Sequence, residues 1–350
     1  MVKTLSFDSS NVSVYFNPLE TSSDIVRENQ YSKIIVVTHP ILSDLYNIKE
    51  IFNKQNIDVV TLPEGEGTKS LSSFIGLSRI FFEKSLDRSS HVIVIGGGVL
   101  GDLCGFLCSV YMRGISFSLV PTTLLSMVDS SIGGKNGIDL DFGKNLLGSF
   151  YHPKNIFIDL NFLKSLPERE VASGMAEVIK YAILEGSLIL EEIKKEKPDI
   201  NKLVGLSIDI KSRYVKEDEK EITGKRALLN LGHTLGHAIE ARTAFSRFTH
   251  GEAVSIGSCF AAFFSCALGY ANLEFYKEVK SLFEKYNLPT LYPNDIEIES
   301  LRQYILKDKK NVSSKLRFVL PKDFSDVFIF QTDFEIVKDC LVKWIEHEKN

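Results

Sequence analysis

Three histidines in the second half of the chain have a spacing that suits metal binding. His233 and His237 lie four residues apart in NLGHTLGHAIE, where helical periodicity predicts one continuous helix over 227–241. Residues four apart share a helix face, and His250 begins the next predicted helix after a short loop. Two imidazoles and one carboxylate are a frequent zinc set that leaves a coordination position open for substrate. The alternative for an HxxxH pair alone is a polar face turned toward water.

Two glycines and two further polar residues belong to the same predicted helix. Gly232 and Gly236 each precede a histidine, and a glycine inside a helix costs about 1 kcal/mol relative to alanine. They therefore indicate that a neighbouring backbone or a ligand approaches closely. Asn230 and Glu240 share the histidine face at helical spacing.

Spacing alone does not identify the carboxylate of this site. Glu177 is a candidate, because Glu170, Ser173, Glu177 and Lys180 form a polar stripe on another apolar helix. The alternative is that Glu177 and Lys180 are only a solvated i,i+3 pair. HExxH is absent, which argues against a zincin protease.

A glycine-rich turn in the first half could hold a phosphate group. In HVIVIGGGVLGDLCGF, Gly96, Gly98 and Gly101 match GxGxxG between a strand and a helix, where backbone N–H groups can approach a pyrophosphate. A βα turn that binds nothing has the same pattern. Roughly 90 residues precede the turn, and no acidic residue follows the next strand, which ends in Pro121-Thr122-Thr123. A bound ribose would therefore be held differently from that of an ordinary Rossmann domain.

The elements around these residues predict two domains. Residues 1–166 alternate β-branched runs with amphipathic segments, which predicts an α/β, Rossmann-like domain with a parallel sheet. Residues 167–350 contain long helical periods and one hairpin-like stretch, KLRFVLPKDFSDVFIF, which predicts a mainly α-helical C-terminal domain. The strand candidates of the first domain are 33–37, 57–62, 91–95, 115–121 and 155–160. Because no long linker separates the domains, we expect a cleft between them.

Composition limits the classes of partner and the compartment. A net charge of −4 over 350 residues gives no reason to expect nucleic acid or lipid as a partner. No apolar run approaches the roughly 20 residues of a membrane span. Five cysteines without a CxxC pair and an N-terminus without a signal pattern predict a reduced, cytoplasmic protein.

Several longer motifs occur together in one order. Over roughly Ile34 to Leu320, the chain resembles the 3-dehydroquinate synthase family of sugar phosphate cyclases. The motifs that carry the resemblance are PEGEGTKSL, GGGVLGDLCGF, PTTLLSMVDSSIGGKNGID, GKNLLGSF, LKSLPEREVASGMAEVIKY, GKRALLNLGHTLGHAIE and HGEAV.

The resemblance implies an enzyme of the shikimate pathway, a phosphate-eliminating carbon–oxygen lyase. It would convert 3-deoxy-D-arabino-heptulosonate 7-phosphate into 3-dehydroquinate and phosphate. The implied steps are transient oxidation by NAD, β-elimination of phosphate, reduction and intramolecular aldol closure. The implied cofactors are NAD and zinc, with cobalt as the alternative cation. A homodimer is also implied, with an NAD-binding first domain, a metal- and substrate-binding second domain and the active site in the cleft.

Site residues follow from the same resemblance. The implied metal ligands are Glu177, His233 and His250. The implied NAD contacts are Glu64, Gly65, Glu66, Lys69, Gly97, Gly98, Val99, Gly101, Asp102, Thr122, Thr123, Lys135, Lys144, Phe162, Leu163, Lys164 and Ser165. The implied catalytic and substrate contacts are Arg113, Asp129, Lys135, Lys144, Asn145, Lys180, Lys211, Arg226, Asn230 and His237, with one or both of Lys309 and Lys310.

The chain departs from the family pattern at three positions. His39 stands where an adenosine-side acid is common, which leaves the ribose contact open. Asn136 and Asp139 stand in GGKNGID where the family commonly has Thr and Asn, and we interpret them as tolerated changes in a loop.

Three other functions fit parts of the sequence. Another sugar phosphate cyclase would act on sedoheptulose 7-phosphate or glucose 6-phosphate, and Asn145, Lys211 and KDKKN argue against it. A glycerol-dehydrogenase-like enzyme would release NADH. A dinucleotide-binding module without activity would lack some of the implied site residues, and we find none missing at the metal and phosphate positions. Without the resemblance, each lysine would be interpreted as a surface residue.

Overall fold

The computed structural model describes residues 2–306 and 316–349. The chain divides into two compact units, Met1–Leu166 and Pro167–Asn350. Lys309 and Lys310 lie outside the described residues. Within the described part, none of the helices combines the length and the apolar character that a bilayer crossing requires.

The described part of the first unit, residues 2–166, contains nine strands and five α-helices. The strands are β1 (Val2–Ser6), β2 (Asn11–Phe16), β3 (Ile34–Thr38), β4 (Asp58–Thr61), β5 (His91–Gly96), β6 (Ser116–Pro121), β7 (Lys135–Leu140), β8 (Gly143–Phe150) and β9 (Asn155–Ile158). The helices are α1 (Glu20–Arg27), α2 (Pro40–Leu45), α3 (Ile48–Asn53), α4 (Leu71–Glu83) and α5 (Gly98–Val110).

Seven strands form one sheet in the order β1-β2-β9-β6-β5-β3-β4. β1 is antiparallel to β2, and the other neighbours are parallel. All six residues of β5 are buried, as expected for an apolar strand between two neighbours with both faces covered. Gly96 at the end of β5 pairs with Pro121 at the end of β6. The glycine turn after β5 and the threonines after β6 therefore share the carboxyl edge of the sheet, where open α/β sheets bind ligands.

The second unit is mainly helical, as predicted. Its helices are α6 (Glu168–Glu185), α7 (Ser187–Lys194), α8 (Ile200–Glu217), α9 (His233–Arg242), α10 (His250–Ala267), α11 (Leu273–Lys285), α12 (Arg302–Leu306) and α13 (Phe334–His347). The predicted hairpin is the antiparallel pair of β10 (Leu316–Asp323) and β11 (Asp326–Thr332). α10 is buried over most of its length and contacts α6, α9, α11 and α13. The prediction of an α/β domain followed by a helical domain is confirmed.

Two local predictions are wrong. The helix expected over 227–241 is broken, because Arg226–Asn230 form a 3-10 turn and α9 begins only at His233. Gly232 separates the two with a φ of +78°, a left-handed conformation that favours glycine. Asn230 therefore does not share the helix of the histidines. The GGKNGID segment is also not a loop, since Lys135–Leu140 pair with β8 in a hairpin.

Candidate active site

Three side chains of the second unit bring potential metal-ligand atoms close together. Glu177 Oε1 lies 3.5 Å from His233 Nε2 and 3.4 Å from His250 Nε2. The three donor atoms lie within 4.8 Å of one another. Donors around a tetrahedral zinc ion, each about 2.0–2.1 Å from the metal, are separated by about 3.3 Å. The spacing and the donor types therefore fit a divalent cation.

The second nitrogen of each imidazole has a partner of its own. His233 Nδ1 lies 3.0 Å from the carbonyl oxygen of Leu231. A carbonyl only accepts, so Nδ1 donates and Nε2 keeps its lone pair for a metal. His250 Nδ1 lies 3.5 Å from Glu240 Oε2. Burial opposes the charged form of His250, but the carboxylates of Glu240 and Glu177 outweigh it and raise the pKa of this histidine to about 10.

Close packing between α9 and α10 positions the two imidazoles. A Cβ on Gly236 would lie 2.9 Å from the carbonyl oxygen of Ala253, and a Cβ on Gly232 would lie 2.7 Å from that of Val254. The approach that the two glycines predicted is thus made by the α10 backbone. His233 and His250 are the first residues of α9 and α10, so this contact sets their separation.

The first turn of α10 is tied to α6, which carries Glu177. Thr249 and Glu252 form a capping box. Glu252 also accepts two 2.7 Å hydrogen bonds from the guanidinium of Arg169, and the Gly251 N–H donates to Ser173 Oγ at 3.0 Å. These contacts determine where His250 stands relative to α6.

Glu177 and Lys180 form an ion pair that is not solvated. Their exposed fractions are 0% and 1%, and Lys180 Nζ contacts Glu177 Oε2. Charged side chains are almost never fully buried unless they are paired, so burial of this pair beside two imidazoles indicates a built site. The reading of Glu177 and Lys180 as a surface pair is wrong.

His237 lies one turn after His233 and is exposed. Its ring centroid is 5.1 Å from that of His233 and 5.9 Å from that of His250. His237, Glu240 and His250 also have donor atoms within 4.8 Å of one another. His237 is thus placed beside the donor cluster, where it could contact a ligand of a bound cation.

The other predicted substrate residues of this unit are largely buried. Lys211 on α8 and Arg226 in the 3-10 turn are buried, so the reading of these two cations as surface residues is wrong. The guanidinium of Arg226 donates to the carbonyl oxygen of Glu219 at 2.6 Å. Asn230 Nδ2 donates to Glu221 Oε1 at 3.2 Å.

The glycine turn of the first unit lines a cavity at the N-terminus of α5. Gly97 is the N-cap of this 13-residue helix. The lining residues are Gly96, Gly97, Gly98, Gly101, Asp102, Leu119, Pro121, Ser126, Ser130, Ser131, Gly134, Asn136 and Pro153. A Cβ on Gly98 would lie 2.9 Å from Ser130 Oγ. A side chain at Gly98 would therefore crowd the cavity at the end of α5 that attracts anions.

Two buried hydroxyls in this cavity indicate that a ligand belongs there. Ser130 Oγ and Ser131 Oγ have no hydrogen-bond partner among the residues that the structure describes. A buried hydroxyl without a partner is destabilising by about 1–3 kcal/mol, and a phosphate oxygen would accept from it. The lining of the cavity therefore suits a phosphate group, such as those of NAD.

Ion pairs join four of the predicted cofactor residues. Lys69 Nζ lies 2.5 Å from Asp102 Oδ2, and Lys144 Nζ lies 2.6 Å from Glu66 Oε1. Burial opposes the charge of Lys69, but the Asp102 carboxylate outweighs it and raises the lysine pKa. Burial also opposes ionisation of Glu66, and the Lys144 ammonium lowers its pKa nonetheless. Lys69 is therefore charged at neutral pH.

The remaining predicted residues of the first unit lie in turns, in strands and in the first turn of α5. Thr122 donates its N–H to the carbonyl of Gly96 at 3.1 Å, and Thr123 contacts the Cβ position of Gly97. Glu64 and Gly65 are exposed before the 66–68 turn, and Val99 lies in the first turn of α5.

A 3-10 turn contains Phe162, Leu163 and Lys164. Ser165 follows it, and the hydroxyl of Ser165 is 2.6 Å from that of Tyr46. Arg113 and Lys135 are exposed, Asn145 is exposed on β8, and Asp129 is half-buried.

The departures from the family pattern have clear environments. His39 is buried, and its Nδ1 donates to the carbonyl oxygen of Leu62 at 2.9 Å. Asn136 Nδ2 donates to the carbonyls of Gly134 and Tyr151 at 2.9 and 2.8 Å. Its Oδ1 lies 2.1 Å from where a Cβ on Gly105 would be, so Asn136 requires the glycine opposite to it.

Sequence reasoning did not assign three residues that the structure places at these sites. Ser130 and Ser131 could have been found as small hydroxyls before the glycines of SMVDSSIGGK. Glu240 was recognised only as part of a polar face, although its position seven residues after His233, two helical turns, was a usable signal.

Sequence comparison determines the family. A model of the 3-dehydroquinate synthase N-terminal domain matches residues 59–173, and a model of the C-terminal domain matches residues 174–311. The chain belongs to the 3-dehydroquinate synthase family. A 3-dehydroquinate synthase of Dictyoglomus turgidum is 42% identical over 311 residues, which are 87% of this chain and 86% of the relative. The predicted family, and with it the enzyme class, is confirmed.

Solved structures share the fold of this 3-dehydroquinate synthase family member. One is a 2-deoxy-scyllo-inosose synthase in complex with carbaglucose-6-phosphate, NAD+ and Co2+, with a TM-score of 0.86 and 23% identity over 98% of this chain and all of that chain. Another is ValA, a 2-epi-5-epi-valiolone synthase from Streptomyces hygroscopicus with NAD+ and Zn2+ bound, with a TM-score of 0.84 and 21% identity over 99% of both chains.

Proposed function

We propose that this chain converts 3-deoxy-D-arabino-heptulosonate 7-phosphate into 3-dehydroquinate and inorganic phosphate in the shikimate pathway. The observation that carries the proposal is the convergence of Glu177, His233 and His250 at separations that fit one divalent cation. Membership of the 3-dehydroquinate synthase family supports the same reaction.

The proposed cofactors are NAD, held by the glycine turn of the first unit, and a divalent cation, held by Glu177, His233 and His250. When bound, NAD accepts and returns a hydride while zinc acts as a Lewis acid toward the substrate hydroxyl. Related cyclase structures hold NAD+ with Co2+ or with Zn2+. We propose zinc for this chain, with cobalt as the alternative.

The proposed role of the cations is to bind the two acidic groups of the substrate. A phosphate and a carboxylate are each bound best by Arg or Lys. Lys211 and Arg226 are buried in the second unit, where a desolvated cation attracts an anion strongly. Lys180 would contact the substrate beside Glu177, and Asn230 and His237 would orient its hydroxyls. The corresponding residues of the first unit are Arg113, Asp129, Lys135, Lys144 and Asn145.

We further propose that the first unit binds NAD, that the second unit binds the metal and the substrate, and that the protein is a cytoplasmic homodimer. All five cysteines are free thiols, which supports a reducing compartment. An apolar surface on the first unit supports a second copy as partner, because Phe142, Leu146, Leu147 and Phe150 are all exposed. Light scattering of the purified protein at two concentrations tests the dimer.

The decisive experiment adds the heptulosonate phosphate to protein loaded with NAD and zinc, and follows inorganic phosphate and NADH absorbance together. Release of phosphate without net NADH is expected, since the hydride returns to the substrate. Accumulation of NADH would instead support a glycerol-dehydrogenase-like enzyme. Release of phosphate only from sedoheptulose 7-phosphate or glucose 6-phosphate would identify another sugar phosphate cyclase.

A further inference from the structure

Asp139 connects three segments of the first unit that carry cofactor and substrate residues. Its N–H donates to the carbonyl oxygen of Lys69 at 2.8 Å, which ties β7 to the end of the 66–68 turn. Its carboxylate Oδ1 accepts the N–H of Asn145 at 2.8 Å, which ties β7 to β8. The register of the hairpin shifts between Ile138 and Leu140, so Asp139 stands at the irregular position of the strand.

The hydrogen bond from Asn145 to Asp139 is made by a residue with a left-handed backbone conformation. Asn145 has a φ of +52°, a left-handed conformation that asparagine adopts more readily than most residues other than glycine. A carboxylate acceptor on its N–H stabilises that conformation. The residue before it, Lys144, extends its ammonium to Glu66 in the 66–68 turn. The direction of the Lys144 side chain therefore depends on the turn that Asp139 holds.

The charges around Asp139 come from the same segments. Glu66, Lys69 and Lys144 face it, and burial raises the pKa of its carboxyl above the usual value. Lys69 in turn pairs with Asp102 at the start of α5. The Asp139 carboxylate, which lies outside the predicted site, thus contacts or faces residues of the PEGEGTK segment and of the hairpin. Lys69 connects it to Asp102 on α5.

We propose that Asp139 is a positioning residue, which holds Lys144 and Asn145 in the orientation that NAD and the substrate require. The hydrogen bond between its carboxylate and the Asn145 N–H, together with the strand contact to Lys69, carries this inference. It rests on the proposed function, because Lys144 and Asn145 act only if the cofactor and the substrate bind there.

The test compares Asp139→Ala, Asp139→Asn and Asp141→Ala. An asparagine keeps an acceptor oxygen at the same place, whereas alanine removes it. Asp141 is an exposed carboxylate two residues further along the hairpin and serves as the matched control. Calorimetric titration of the zinc-loaded protein with NAD alone measures cofactor affinity without turnover, and phosphate release gives kcat and KM.

Loss of one hydrogen bond corresponds to about a tenfold change in an equilibrium constant. Asp139→Ala is therefore expected to weaken NAD binding about tenfold and to lower kcat, while Asp139→Asn and Asp141→Ala stay within about threefold of the wild type. Wild-type NAD affinity in Asp139→Ala, or an equal defect in Asp139→Asn, overturns the inference. If Asp139→Ala does not fold, Asp139→Ser, whose shorter side chain withdraws the acceptor, replaces it with the same expectation.

The wild type separates this inference from the proposed function. A wild type that neither binds NAD nor releases phosphate contradicts the proposed function itself. A wild type that does both, with Asp139→Ala unchanged, contradicts only the role of Asp139.

Discussion

Glu240 Oε2 lies 3.5 Å from Nδ1 of His250, on the side of the ring away from the nitrogen that faces Glu177. When a carboxylate contacts the nitrogen of an imidazole that does not bind the metal, it orients the ring and makes the other nitrogen a stronger metal ligand. Glu240 is thus placed to support His250 without belonging to the proposed donor set of Glu177, His233 and His250.

Replacing Glu240 by glutamine should lower zinc affinity about 10- to 100-fold, because the imidazole loses its charged partner. Competition with a chromogenic chelator measures the change. Glu168→Gln, at an exposed position in the first turn of α6, should retain wild-type affinity. Equal affinities of Glu240→Gln and the wild type would show that Glu240 does not support His250.

Removing the hydroxyl of Ser130 or of Ser131 should weaken NAD binding without lowering the free energy of unfolding. Each alanine variant should bind NAD about fivefold to tenfold more weakly, since one hydrogen bond to the cofactor is lost. The free energy of unfolding should stay equal or rise, because a buried hydroxyl without a partner disappears. Ser207→Ala removes a similar buried hydroxyl from α8 and should leave NAD affinity unchanged. Unchanged NAD affinity in both cavity variants would exclude a cofactor contact.

A methyl group at Gly236 should disturb the contact between α9 and α10. Its Cβ would lie 2.9 Å from the carbonyl oxygen of Ala253, so Gly236→Ala should lower the free energy of unfolding by about 1–3 kcal/mol and weaken zinc binding. A Cβ on Gly205 in α8 has open space around it, so Gly205→Ala should raise the same free energy by up to about 1 kcal/mol. Urea unfolding of both variants measures the difference, and a destabilised Gly205→Ala would argue against the steric explanation.

His91 should make the fold sensitive to acid. Burial, with a smaller effect of Lys154, lowers the pKa of His91 to about 3, and its ring nitrogens lie 2.9 and 2.8 Å from the hydroxyls of Ser116 and Ser118. The unfolded chain takes up this proton near pH 6.5. The stability that neutral His91 provides is therefore complete above that pH and is lost as the pH falls toward 3, by up to about 1.4 kcal/mol per pH unit.

The change to measure is the slope of unfolding free energy against pH between 7.5 and 5. His91→Gln, which carries no titrating group at this position, should have a smaller slope than the wild type. The difference should grow as the pH falls and approach about 1.4 kcal/mol per pH unit, the value for one proton, near pH 5. If both proteins lose stability equally as the pH falls, another group is responsible for the acid sensitivity.

The sequence patterns predicted the order of the elements well, because apolar periodicity reports burial directly. β5 and α10 were recognisable as largely apolar segments. The hairpin of β7 and β8 was not, since β8 is largely exposed and GGKNGID carries several glycines. The break before α9 was also missed, because the conformation of Gly232 depends on the backbone of α10, which comes later in the chain.

The candidate site was predicted unevenly for a related reason. Glu177, His233 and His250 come from three helices, and only the resemblance to a family identified the carboxylate. Asp139 was interpreted as a tolerated change, because its role arises from contacts with Lys69 and Asn145 that no local pattern shows. Periodicity can assign a residue to a face, but it does not show which distant segment meets that face.

The first turn of α10 has a consequence for metal-free protein. The turn is closed by the capping box of Thr249 and Glu252, and Gly251 and Glu252 bond it to α6. None of these hydrogen bonds involves an ion. The imidazole of His250 is therefore in position before any cation binds. Small zinc domains unfold when a chelator removes their ion, whereas this chain should keep its circular dichroism spectrum and exchange its metal reversibly.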